Sequence, residues 1–372
     1  MDKKIIKKRI KGILHNLAEK GIKSLIVTNP ANVTYTTGFM GGDSWAIIAE
    51  SGVYLLTDSR YAEQAQKECV GCKIILRPDS LPLAPALTEK LKQLKLSKKV
   101  AVEKSTSIAD FESLKKNLKT RPVTVSSIIE NARSIKDDSE IASIKTASRI
   151  AAKALKQTLG YIKPGITENE LAGMLNFQFR KLGATNSFET IVAFGPNASR
   201  PHHQPSKRKL RKEDTVLIDF GAKYNGYCSD ITRCFAVGGP TAFYKKAYDT
   251  VQKAQAAAIK LIKAGVETGK VDDAARDVFR KSGLPVYGHG TGHGLGLEIH
   301  ELPYLKAKGR VILQPGQIIT VEPGLYIPGR LGIRIEDDIL VTETPRLRRE
   351  ASGCEILTRS CPHLLSLPNR RG

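Results

Sequence analysis

The sequence predicts an α+β fold in two domains, an α/β domain over residues 1–131 and a second domain over residues 132–372 with an internal duplication. The chain has 372 residues, more than a typical domain of about 100–200 residues. Helical and strand periodicities alternate along the first part, whereas the second part repeats one series of motifs. Hydrophobic residues make up 41% of the sequence, enough for a chain of this length to form a buried core.

The elements of the first domain follow from its hydrophobic pattern. Isoleucine and leucine residues between Ile5 and Leu17 recur at helical spacing, and Asn29-Pro30 ends the strand that comes next. The other apolar segments are short and bounded by turn residues, which is typical of strands. A hairpin is predicted to turn near Glu50-Ser51-Gly52. The predicted strands are Ser24–Thr28, Trp45–Ala49, Val53–Thr57, Lys73–Leu76, Lys99–Val102 and Val123–Ser126.

Two helices are predicted at the start of the second domain. Asp138 has the residue type of an N-cap for a long helix that ends at Gly160 or at Pro164-Gly165. The sequence Thr167-Glu-Asn-Glu170 is a capping box, in which a hydroxyl and a carboxylate accept hydrogen bonds from free amides at a helix start. The second helix is predicted to end at about Lys181.

One series of motifs occurs twice in the second domain. Ile162-Lys-Pro-Gly165 and Phe179-Arg-Lys-Leu-Gly183 return 100 residues later as Ile262-Lys-Ala-Gly265 and Phe279-Arg-Lys-Ser-Gly283. Each copy is followed by a predicted β-hairpin with two acids. A period this long indicates duplication of a half-domain about a pseudo-two-fold axis rather than a solenoid; chance similarity of amphipathic helices is the alternative. The acids are Asp219 and Asp230, then Glu322 and Glu336, at spacings of 103 and 106 residues.

The first hairpin is expected to hold its two carboxylates on one face. Asp219 interrupts an apolar strand, and Asn225-Gly226 is typical of a two-residue turn. Such a turn pairs Asp219 with Thr232 and makes Asp219 and Asp230 diagonal neighbours, with Cβ atoms roughly 7–8 Å apart. Two carboxylates at this separation can bind one cation, and their burial without one is unfavourable. A solvent-exposed strand end is the alternative.

The second hairpin also combines apolar strands with two acids. Glu322 ends an apolar strand, and Arg334 and Glu336 alternate with isoleucines on the return strand, so they share a face. The turn at Pro328–Gly332 is longer, and the pattern leaves the register of this hairpin open.

Histidines lie close to these acids in the sequence. Five of the seven fall into two groups, His202-His203 and a second group of His289, His293 and His300. Glycine at every second position of Gly288–Gly296 excludes the helical H-E-x-x-H arrangement and allows close approach of backbone. We expect at least one histidine of the second group to be functional; a structural hydrogen bond is the alternative for each one alone.

Four carboxylates and one imidazole match the needs of two divalent cations. Oxygen donors with one histidine favour Mn²⁺, with Co²⁺, Zn²⁺ or Fe²⁺ as alternatives. Two such ions roughly 3.5–4 Å apart lower the pKa of a shared water and activate it for attack on a carbonyl. The sequence contains neither a Gly-x-Ser-x-Gly motif nor a P-loop. It therefore predicts a metal-dependent hydrolase of amide bonds.

Several short motifs together resemble those of the pita-bread metallopeptidases, and the resemblance is closest to Xaa-Pro aminopeptidases and prolidases (Xaa-Pro dipeptidases). It covers nearly the whole chain. It implies a creatinase-type N-terminal domain followed by a pita-bread catalytic domain. The motifs are Asn29-Pro-Ala-Asn-Val-Thr-Tyr35, Thr57-Asp-Ser-Arg60-Tyr, Leu217-Ile-Asp219-Phe-Gly, Ser229-Asp230-Ile-Thr-Arg, Gly290-Thr-Gly-His293-Gly, Glu298-Ile-His300-Glu, Thr320-Val-Glu322-Pro-Gly and Arg334-Ile-Glu336-Asp.

The resemblance implies a set of five metal ligands. Asp219 is expected to bind one metal ion, and His293 and Glu322 the other. Asp230 and Glu336 are expected to bridge the two ions.

The resemblance also implies catalytic and substrate-binding residues. His202 matches a substrate histidine, and His300 matches a histidine that stabilises charge or transfers a proton. Arg334 is expected to support the acidic site and to reach the substrate. Glu322 is expected to transfer a proton to the leaving proline nitrogen, and His289 is placed among the substrate-binding residues.

The activity that the resemblance implies is hydrolysis of an N-terminal Xaa-Pro bond by a hydroxide that two metal ions activate. Tyr304 stands where some prolidases have an arginine for the carboxylate of a dipeptide. This difference favours an Xaa-Pro aminopeptidase, with an Xaa-Pro dipeptidase as the alternative. A non-catalytic pita-bread protein that binds nucleic acid is a further alternative.

Composition limits the partners and the location. Lys and Arg number 59 and Asp and Glu 37, which gives a net charge of +22. These basic residues are spread along the chain, with small clusters at Lys3–Lys11, Lys207–Lys212 and Arg346–Arg349, so we interpret them as solvated surface and not as a nucleic-acid site. No secretory signal or membrane-spanning run is visible, which predicts a cytoplasmic protein without a membrane partner. The resemblance implies a homodimer.

The cysteines indicate neither a disulfide scaffold nor a zinc site. Six cysteines are too few for such a scaffold in this length, and Cys69-Val-Gly-Cys72 has no second pair of ligands. Cys228 and Cys234 flank Asp230 at even spacing, so they are expected to share its face and to make the site sensitive to thiol reagents.

Overall fold

The computed structural model describes residues 2–118, 121–343 and 353–363. The chain divides into two compact units, Met1–Arg133 and Ser134–Gly372. Helices and strands are mixed in both units, which confirms the predicted α+β fold class. The basic cluster at Arg346–Arg349 lies outside the described residues. None of the helices described is long and apolar enough to cross a membrane.

The first unit is built on a single sheet of mixed strand direction. Its strands are β1 (Ser24–Val27), β2 (Trp45–Ala49), β3 (Gly52–Thr57), β4 (Cys72–Leu76), β5 (Val100–Glu103) and β6 (Val123–Val125). Its helices are α1 (Lys3–Ala18), α2 (Pro30–Thr37), α3 (Ala62–Glu68), α4 (Leu83–Gln93), α5 (Ile108–Leu118) and α6 (Ile128–Ser134), the last of which reaches the boundary between the units. The strand order is β4-β3-β2-β1-β5-β6.

Turn and cap residues set several boundaries in this unit. The Asn29 side chain accepts a hydrogen bond from the Asn32 amide, and Pro30 occupies the first helical position, where its missing amide has no cost. Ala49 pairs with Gly52 across a tight turn, which confirms the predicted hairpin. All six predicted strands are present, with ends that differ by at most one residue.

The second unit combines four long helices with several small sheets in its described part. The helices are α7 (Asp138–Thr158), α8 (Glu168–Lys181), α9 (Ala242–Leu261) and α10 (Thr268–Ser282). The strands are β7 (Thr185–Asn186), β8 (Ile191–Phe194), β9 (Thr215–Phe220), β10 (Ala222–Tyr224), β11 (Tyr227–Cys228), β12 (Ile231–Ala236), β13 (Gly292–Gly294), β14 (Glu301–Leu305), β15 (Ile318–Val321), β16 (Gly324–Ile327), β17 (Leu331–Arg334), β18 (Asp337–Val341) and β19 (Cys354–Ile356).

The two halves of the second unit have the same topology. Helices α7 and α8 precede β8, β9 and β12, and helices α9 and α10 precede β13, β15 and β18. In each half the middle strand pairs antiparallel with both neighbours. Equivalent hydrogen bonds join Gly165 N to Leu210 O and Gly265 N to Leu313 O, both at 2.9 Å. The predicted internal duplication is therefore confirmed.

The start of α7 differs by one residue from the prediction. Asp137, and not Asp138, is the N-cap, and its side chain accepts hydrogen bonds from the Ser139 and Glu140 amides. The Glu140 carboxylate in turn accepts a hydrogen bond from the Asp137 amide. The reciprocal box requires a Glu three residues after the cap, which selects Asp137 of the two adjacent aspartates. The predicted capping box of α8, Thr167 with Glu170, is confirmed.

The turn between β10 and β11 sets the register of the first acidic hairpin. Asn225 and Gly226 have positive φ angles of 49° and 83°, as a type I′ turn requires. Tyr224 pairs with Tyr227 across this turn, and further along the hairpin Asp219 pairs with Thr232. The predicted register is confirmed.

Phe179 and Phe279, which occupy equivalent positions of the duplication, are fully buried in two separate parts of the core. We predict that Phe179→Ala and Phe279→Ala each lower the free energy of unfolding of this unit by about 3–5 kcal/mol, because each removes a ring from a packed core. Phe177 is 62% exposed, so Phe177→Ala is the control. This substitution is expected to change the free energy of unfolding by less than ~0.5 kcal/mol. Urea unfolding measures all three; equal effects of Phe177 and Phe179 would contradict the described packing.

Candidate metal centre and active site

All nine residues that the sequence analysis placed in the site line one cavity of the second unit. The cavity has a volume of about 520 Å³. The nine residues are His202, Asp219, Asp230, His289, His293, His300, Glu322, Arg334 and Glu336.

The four acids come together because each lies at or near a strand end. Asp219 is in β9 and Asp230 directly precedes β12, while Glu322 follows β15 and Glu336 precedes β18. Val321 pairs with Asp337, so the next residues outward, Glu322 and Glu336, face each other across the second hairpin. This is the register that the sequence pattern left open.

The two acidic hairpins contact each other directly. The Thr232 hydroxyl donates a hydrogen bond to Glu336 Oε2 at 2.6 Å, and the Glu336 amide donates to the Thr232 carbonyl at 3.2 Å. Each hairpin therefore supplies two carboxylates to a common site.

His293 reaches the acids from strand β13. Its Nδ1 lies 3.0 Å from the Gly294 carbonyl, and its Nε2 lies 3.6 Å from Asp230 Oδ2 and 3.4 Å from Glu322 Oε1. One ring nitrogen is thus held by the backbone while the other faces the acids, which is the usual arrangement of a metal-binding histidine. Donor atoms of Asp230, His293 and Glu336 all lie within 4.8 Å of one another.

The alternating glycines around His293 are explained by strand packing. A Cβ atom on Gly292 would lie 1.9 Å from the Thr320 carbonyl oxygen, and one on Gly294 would lie 2.2 Å from the Leu302 carbonyl oxygen. Strand β13 runs between β14 and β15, where these positions have no room for a side chain. The glycines bring the His293 backbone close enough for the ring to reach the acids.

Burial and mutual repulsion act on the carboxylates. Burial and the charges of neighbouring acids raise the pKa of Asp230 and of Glu336 well above the usual range, and burial raises the pKa of Glu322. Asp219 Oδ1 is buried and has no hydrogen-bond partner among the described residues. Divalent cations would supply the missing partner and offset the repulsion, so these residues fit a metal centre.

Arg334 neutralises part of this charge. Its guanidinium donates hydrogen bonds to Asp219 Oδ2 at 2.5 Å, to the Thr232 hydroxyl at 3.1 Å and to the Tyr326 hydroxyl at 2.7 Å. The Arg334 side chain is buried, and four carboxylates against one guanidinium leave an excess of negative charge. This excess favours cations of charge greater than one.

His289 is held on both sides of its ring. Nδ1 lies 2.7 Å from the Gly290 carbonyl and Nε2 lies 3.1 Å from the Tyr326 hydroxyl. Burial lowers the pKa of His289. Both ring nitrogens have protein partners, so the position of His289 is fixed by hydrogen bonds at the cavity wall.

His202 and His300 line the cavity as exposed side chains. The His300 ring is 4.4 Å from the His293 ring, and burial together with the neighbouring histidines lowers its pKa. Neither residue is in the cluster of Asp230, His293 and Glu336. Their exposure leaves them open to a molecule that enters the cavity.

The loop that carries His202 is anchored by Glu168, which the sequence analysis did not identify. The fully buried Glu168 carboxylate lies 2.8 Å from His203 Nε2, and it accepts hydrogen bonds from the Phe194 amide and from Ser206. Glu168 follows the capping Thr167, so its place in the sequence indicated only a helix start.

Two further supporting residues were missed. Thr232 links Arg334 to Glu336, and the Asp338 carboxylate accepts hydrogen bonds from the Asp230 amide at 3.2 and 3.3 Å. The predicted pairing of Thr232 with Asp219 would have placed Thr232 beside the acids. The contact of Asp338 with Asp230 joins the two halves of the duplication, so no local pattern predicts it.

Cys228 and Cys234 are not part of the cavity wall. Both are buried, and burial raises the pKa of each thiol to about 12. The Arg334 amide donates a hydrogen bond to Cys234 Sγ, so the backbone of Arg334 covers that thiol. The expected sensitivity of the site to thiol reagents is therefore wrong, because a reactive cysteine needs access and a low pKa.

Sequence comparison assigns both parts of the chain to known families. Residues 142–343 match the metallopeptidase family M24, and residues 9–135 match the creatinase/prolidase N-terminal domain. The chain belongs to metallopeptidase family M24. The predicted resemblance to the pita-bread metallopeptidases is thereby confirmed.

Relatives named as Xaa-Pro dipeptidases and a relative named as an X-Pro aminopeptidase each match nearly the whole chain. An Xaa-Pro dipeptidase of Pyrococcus horikoshii is 32% identical over 360 residues, which cover 95% of this chain and 99% of that protein. The solved structure of an Xaa-Pro dipeptidase from Bacillus anthracis is 37% identical with a TM-score of 0.90, covering 97% of this chain and 100% of that one. An X-Pro aminopeptidase from Thermotoga maritima is 33% identical with a TM-score of 0.85, covering 96% and 99%.

The proposed metal ligands are tested by substitutions that keep side-chain shape. We predict that Asp230→Asn and Glu336→Gln bind fewer than two metal ions per chain, because each removes a charged oxygen from a proposed bridging position. Mass spectrometry of the metal content after dialysis against Mn²⁺ measures this. Asp273→Asn changes an exposed acid outside the cavity and is the control with unchanged metal content. Two ions per chain in both site variants would refute the ligand assignment.

Proposed function

We propose that this chain hydrolyses the bond between an N-terminal residue and proline, with two divalent metal ions held by Asp219, Asp230, His293, Glu322 and Glu336. The observation that carries the proposal is the convergence of four carboxylates and one imidazole in a cavity large enough for a small peptide. Mn²⁺ is the proposed metal, with Co²⁺, Zn²⁺ or Fe²⁺ as alternatives, since the ligands are mainly carboxylate oxygens. When bound, the ions would supply an activated water and polarise the scissile carbonyl.

The chain's own residues bind the peptide and move the protons. Glu322 is proposed to take the proton of the attacking water and to deliver it to the proline nitrogen as that nitrogen leaves. His300 is proposed to donate a hydrogen bond to the oxygen that becomes negative in the transition state. His202 contacts the substrate from the loop anchored by Glu168. Arg334 holds Asp219 in place through its guanidinium.

A dipeptide substrate has more support than a longer peptide. Relatives that cover nearly the whole chain are named Xaa-Pro dipeptidases, and one of their structures has a TM-score of 0.90. The preference for an aminopeptidase rested on Tyr304, which carries no charge for a dipeptide carboxylate. An Xaa-Pro aminopeptidase is the second candidate, supported by that residue and by the Thermotoga maritima structure. The homodimer and the cytoplasmic location stay predictions.

Metal and proline dependence test the proposed reaction. We predict that protein stripped with a chelator and reloaded with Mn²⁺ cleaves Ala-Pro and Ala-Pro-Ala, and that the stripped protein cleaves neither. Ala-Ala and Ala-Ala-Ala are the matched controls, expected to react roughly 10–200-fold more slowly, because a pocket shaped for a small ring discriminates by packing and orientation. Chromatography of the released residues gives the rates. Equal rates for the alanine peptides would refute the proline specificity.

The same preparation tests the binding alternative, which the net charge of +22 motivates. A mobility shift of DNA that weakens steeply with salt, without hydrolysis of any peptide, would favour a nucleic-acid-binding protein.

The two exposed histidines are predicted to affect turnover and not metal binding. His202→Ala and His300→Ala should each lower kcat by about 10²–10³-fold, since each removes one charge-stabilising or proton-transferring group. Both variants should retain the metal content of the unchanged protein. His15→Ala, a change at an exposed histidine of the first unit, is the control. Loss of metal from either site variant would show that a ligand was mistaken for a substrate contact.

A further inference from the structure

A positively charged side chain on the cavity wall has no part in the reaction described above. Lys306 follows strand β14 directly and lines the cavity together with Tyr304. Among the described residues that line the cavity, Lys306 and Arg334 are the ones that carry a fixed positive charge at neutral pH. Apart from the proposed metal ions and the histidines, these two side chains are the candidates for pairing with an anionic group of a substrate.

Arg334 is already bound to four groups of the protein. Its guanidinium donates hydrogen bonds to Asp219, Thr232, Tyr326 and the Pro201 carbonyl, and its side chain is buried. Lys306 is exposed, and its ammonium makes no hydrogen bond or ion pair with any residue in the part of the chain that the structure describes. Lys306 is the cation that remains available to a ligand.

Strand pairing places Lys306 on the same face as the metal ligand His293. His293 pairs with Tyr304 across β13 and β14, and Gly292 pairs with Leu305. Side chains alternate along a strand, so Tyr304 and Lys306 point to one side, roughly 7 Å apart along the backbone. Both line the cavity, whereas Leu305 between them is buried in the core.

The segment before β13 passes beside Lys306. A Cβ atom on Gly290 would lie 3.7 Å from Lys306 Cβ, in van der Waals contact, so the glycine keeps one side of the lysine stem free of a neighbouring side chain. Gly290 and His289 also line the cavity. The four-carbon stem of lysine is flexible and can bring its ammonium to an anion within the cavity.

The chemistry of the substrate identifies the anion. In an Xaa-Pro dipeptide the free carboxylate is attached to the carbon next to the scissile nitrogen, so it enters the cavity together with the bond to be cut. In a longer peptide the same position is a neutral amide. A cation at this position would form a charge-assisted hydrogen bond with the carboxylate of a dipeptide and would gain less from the neutral amide of a longer peptide.

We propose that Lys306 binds the free carboxylate of the proline residue in Xaa-Pro dipeptides and thereby makes this chain select dipeptides over longer peptides. This inference rests on the proposed Xaa-Pro hydrolysis. It gives Lys306 the role of a specificity-determining residue that contacts the substrate away from the bond that is broken. The neutral Tyr304 is then compatible with a dipeptidase, because the charge is supplied two residues later on the same face.

The test compares two substrates that share the scissile bond and differ in the carboxylate, Ala-Pro and Ala-Pro-amide, in the Mn²⁺-loaded protein. The unchanged protein is expected to prefer Ala-Pro. Lys306→Met is expected to lower kcat/KM for Ala-Pro by roughly 10- to 100-fold, the effect of losing one hydrogen bond between charged groups. The loss should appear mainly in KM, and kcat/KM for Ala-Pro-amide should change by less than about twofold. Lys306→Arg, which keeps the charge, should retain most of the preference.

Lys308→Met is the matched control, because Lys308 is exposed, close in sequence and not part of the cavity wall. Equal losses of Lys306→Met on both substrates, or no loss on Ala-Pro, would overturn the role of Lys306 and leave Xaa-Pro hydrolysis in place. A preference of the unsubstituted protein for Ala-Pro-amide would also overturn the role of Lys306 and leave Xaa-Pro hydrolysis in place. Absence of hydrolysis of both substrates by the unchanged protein would instead overturn the proposed function, and the inference with it.

Discussion

Repulsion among four carboxylates in a largely buried site is the constraint on which the rest of the second unit depends. Asp219, Asp230 and Glu336 are buried and Glu322 is half-buried, and all four face one cavity. Buried ions of like charge are unfavourable unless other charges or hydrogen bonds compensate them. The protein supplies one guanidinium and a few hydroxyl and amide donors, which do not neutralise four negative charges. The site is therefore organised for cations, and the surrounding fold has to hold the acids together against their repulsion.

The duplicated topology meets this requirement with paired hairpins. Each half contributes one acid at or near the end of its central strand and another just before its return strand, so two copies of one structure supply four carboxylates. Contacts between the copies then fix the distance between the pairs. The Thr232 hydroxyl bonds to Glu336, and the Asp338 carboxylate accepts the Asp230 amide, so each hairpin supports an acid of the other. The first of these hydrogen bonds restricts the rotamers of the Glu336 side chain, and the second fixes the backbone at Asp230, so together they orient the two acids.

The proposed selectivity for dipeptides depends on a different part of the cavity. Strand β14 carries none of the proposed metal ligands, and its exposed Tyr304 lines the cavity together with Lys306, which directly follows the strand. The acids and His293 carry the chemistry that is proposed for hydrolysis, whereas Lys306 is proposed to contact the part of the substrate beyond the scissile bond. On this proposal, substitution of Lys306 changes which peptide is cut and leaves the proposed metal centre unchanged. This separation agrees with relatives of one fold that carry the names of a dipeptidase and of an aminopeptidase.

Local patterns in the sequence determined the strands of the first unit and the register of one hairpin in the site. Hydrophobic spacing located the six strands of the first unit, and Asn225-Gly226 set the register that pairs Asp219 with Thr232, because turn geometry and alternation are local properties. The spacing of the repeated motifs also indicated the duplication. Only the tertiary structure decided the pairing of Glu322 with Glu336, the anchoring of the His202 loop by Glu168, the burial of Cys228 and Cys234, and the place of Lys306 in the cavity. Each of these depends on contacts between segments far apart in the chain, and no periodicity within a segment records which distant segment will pack against it.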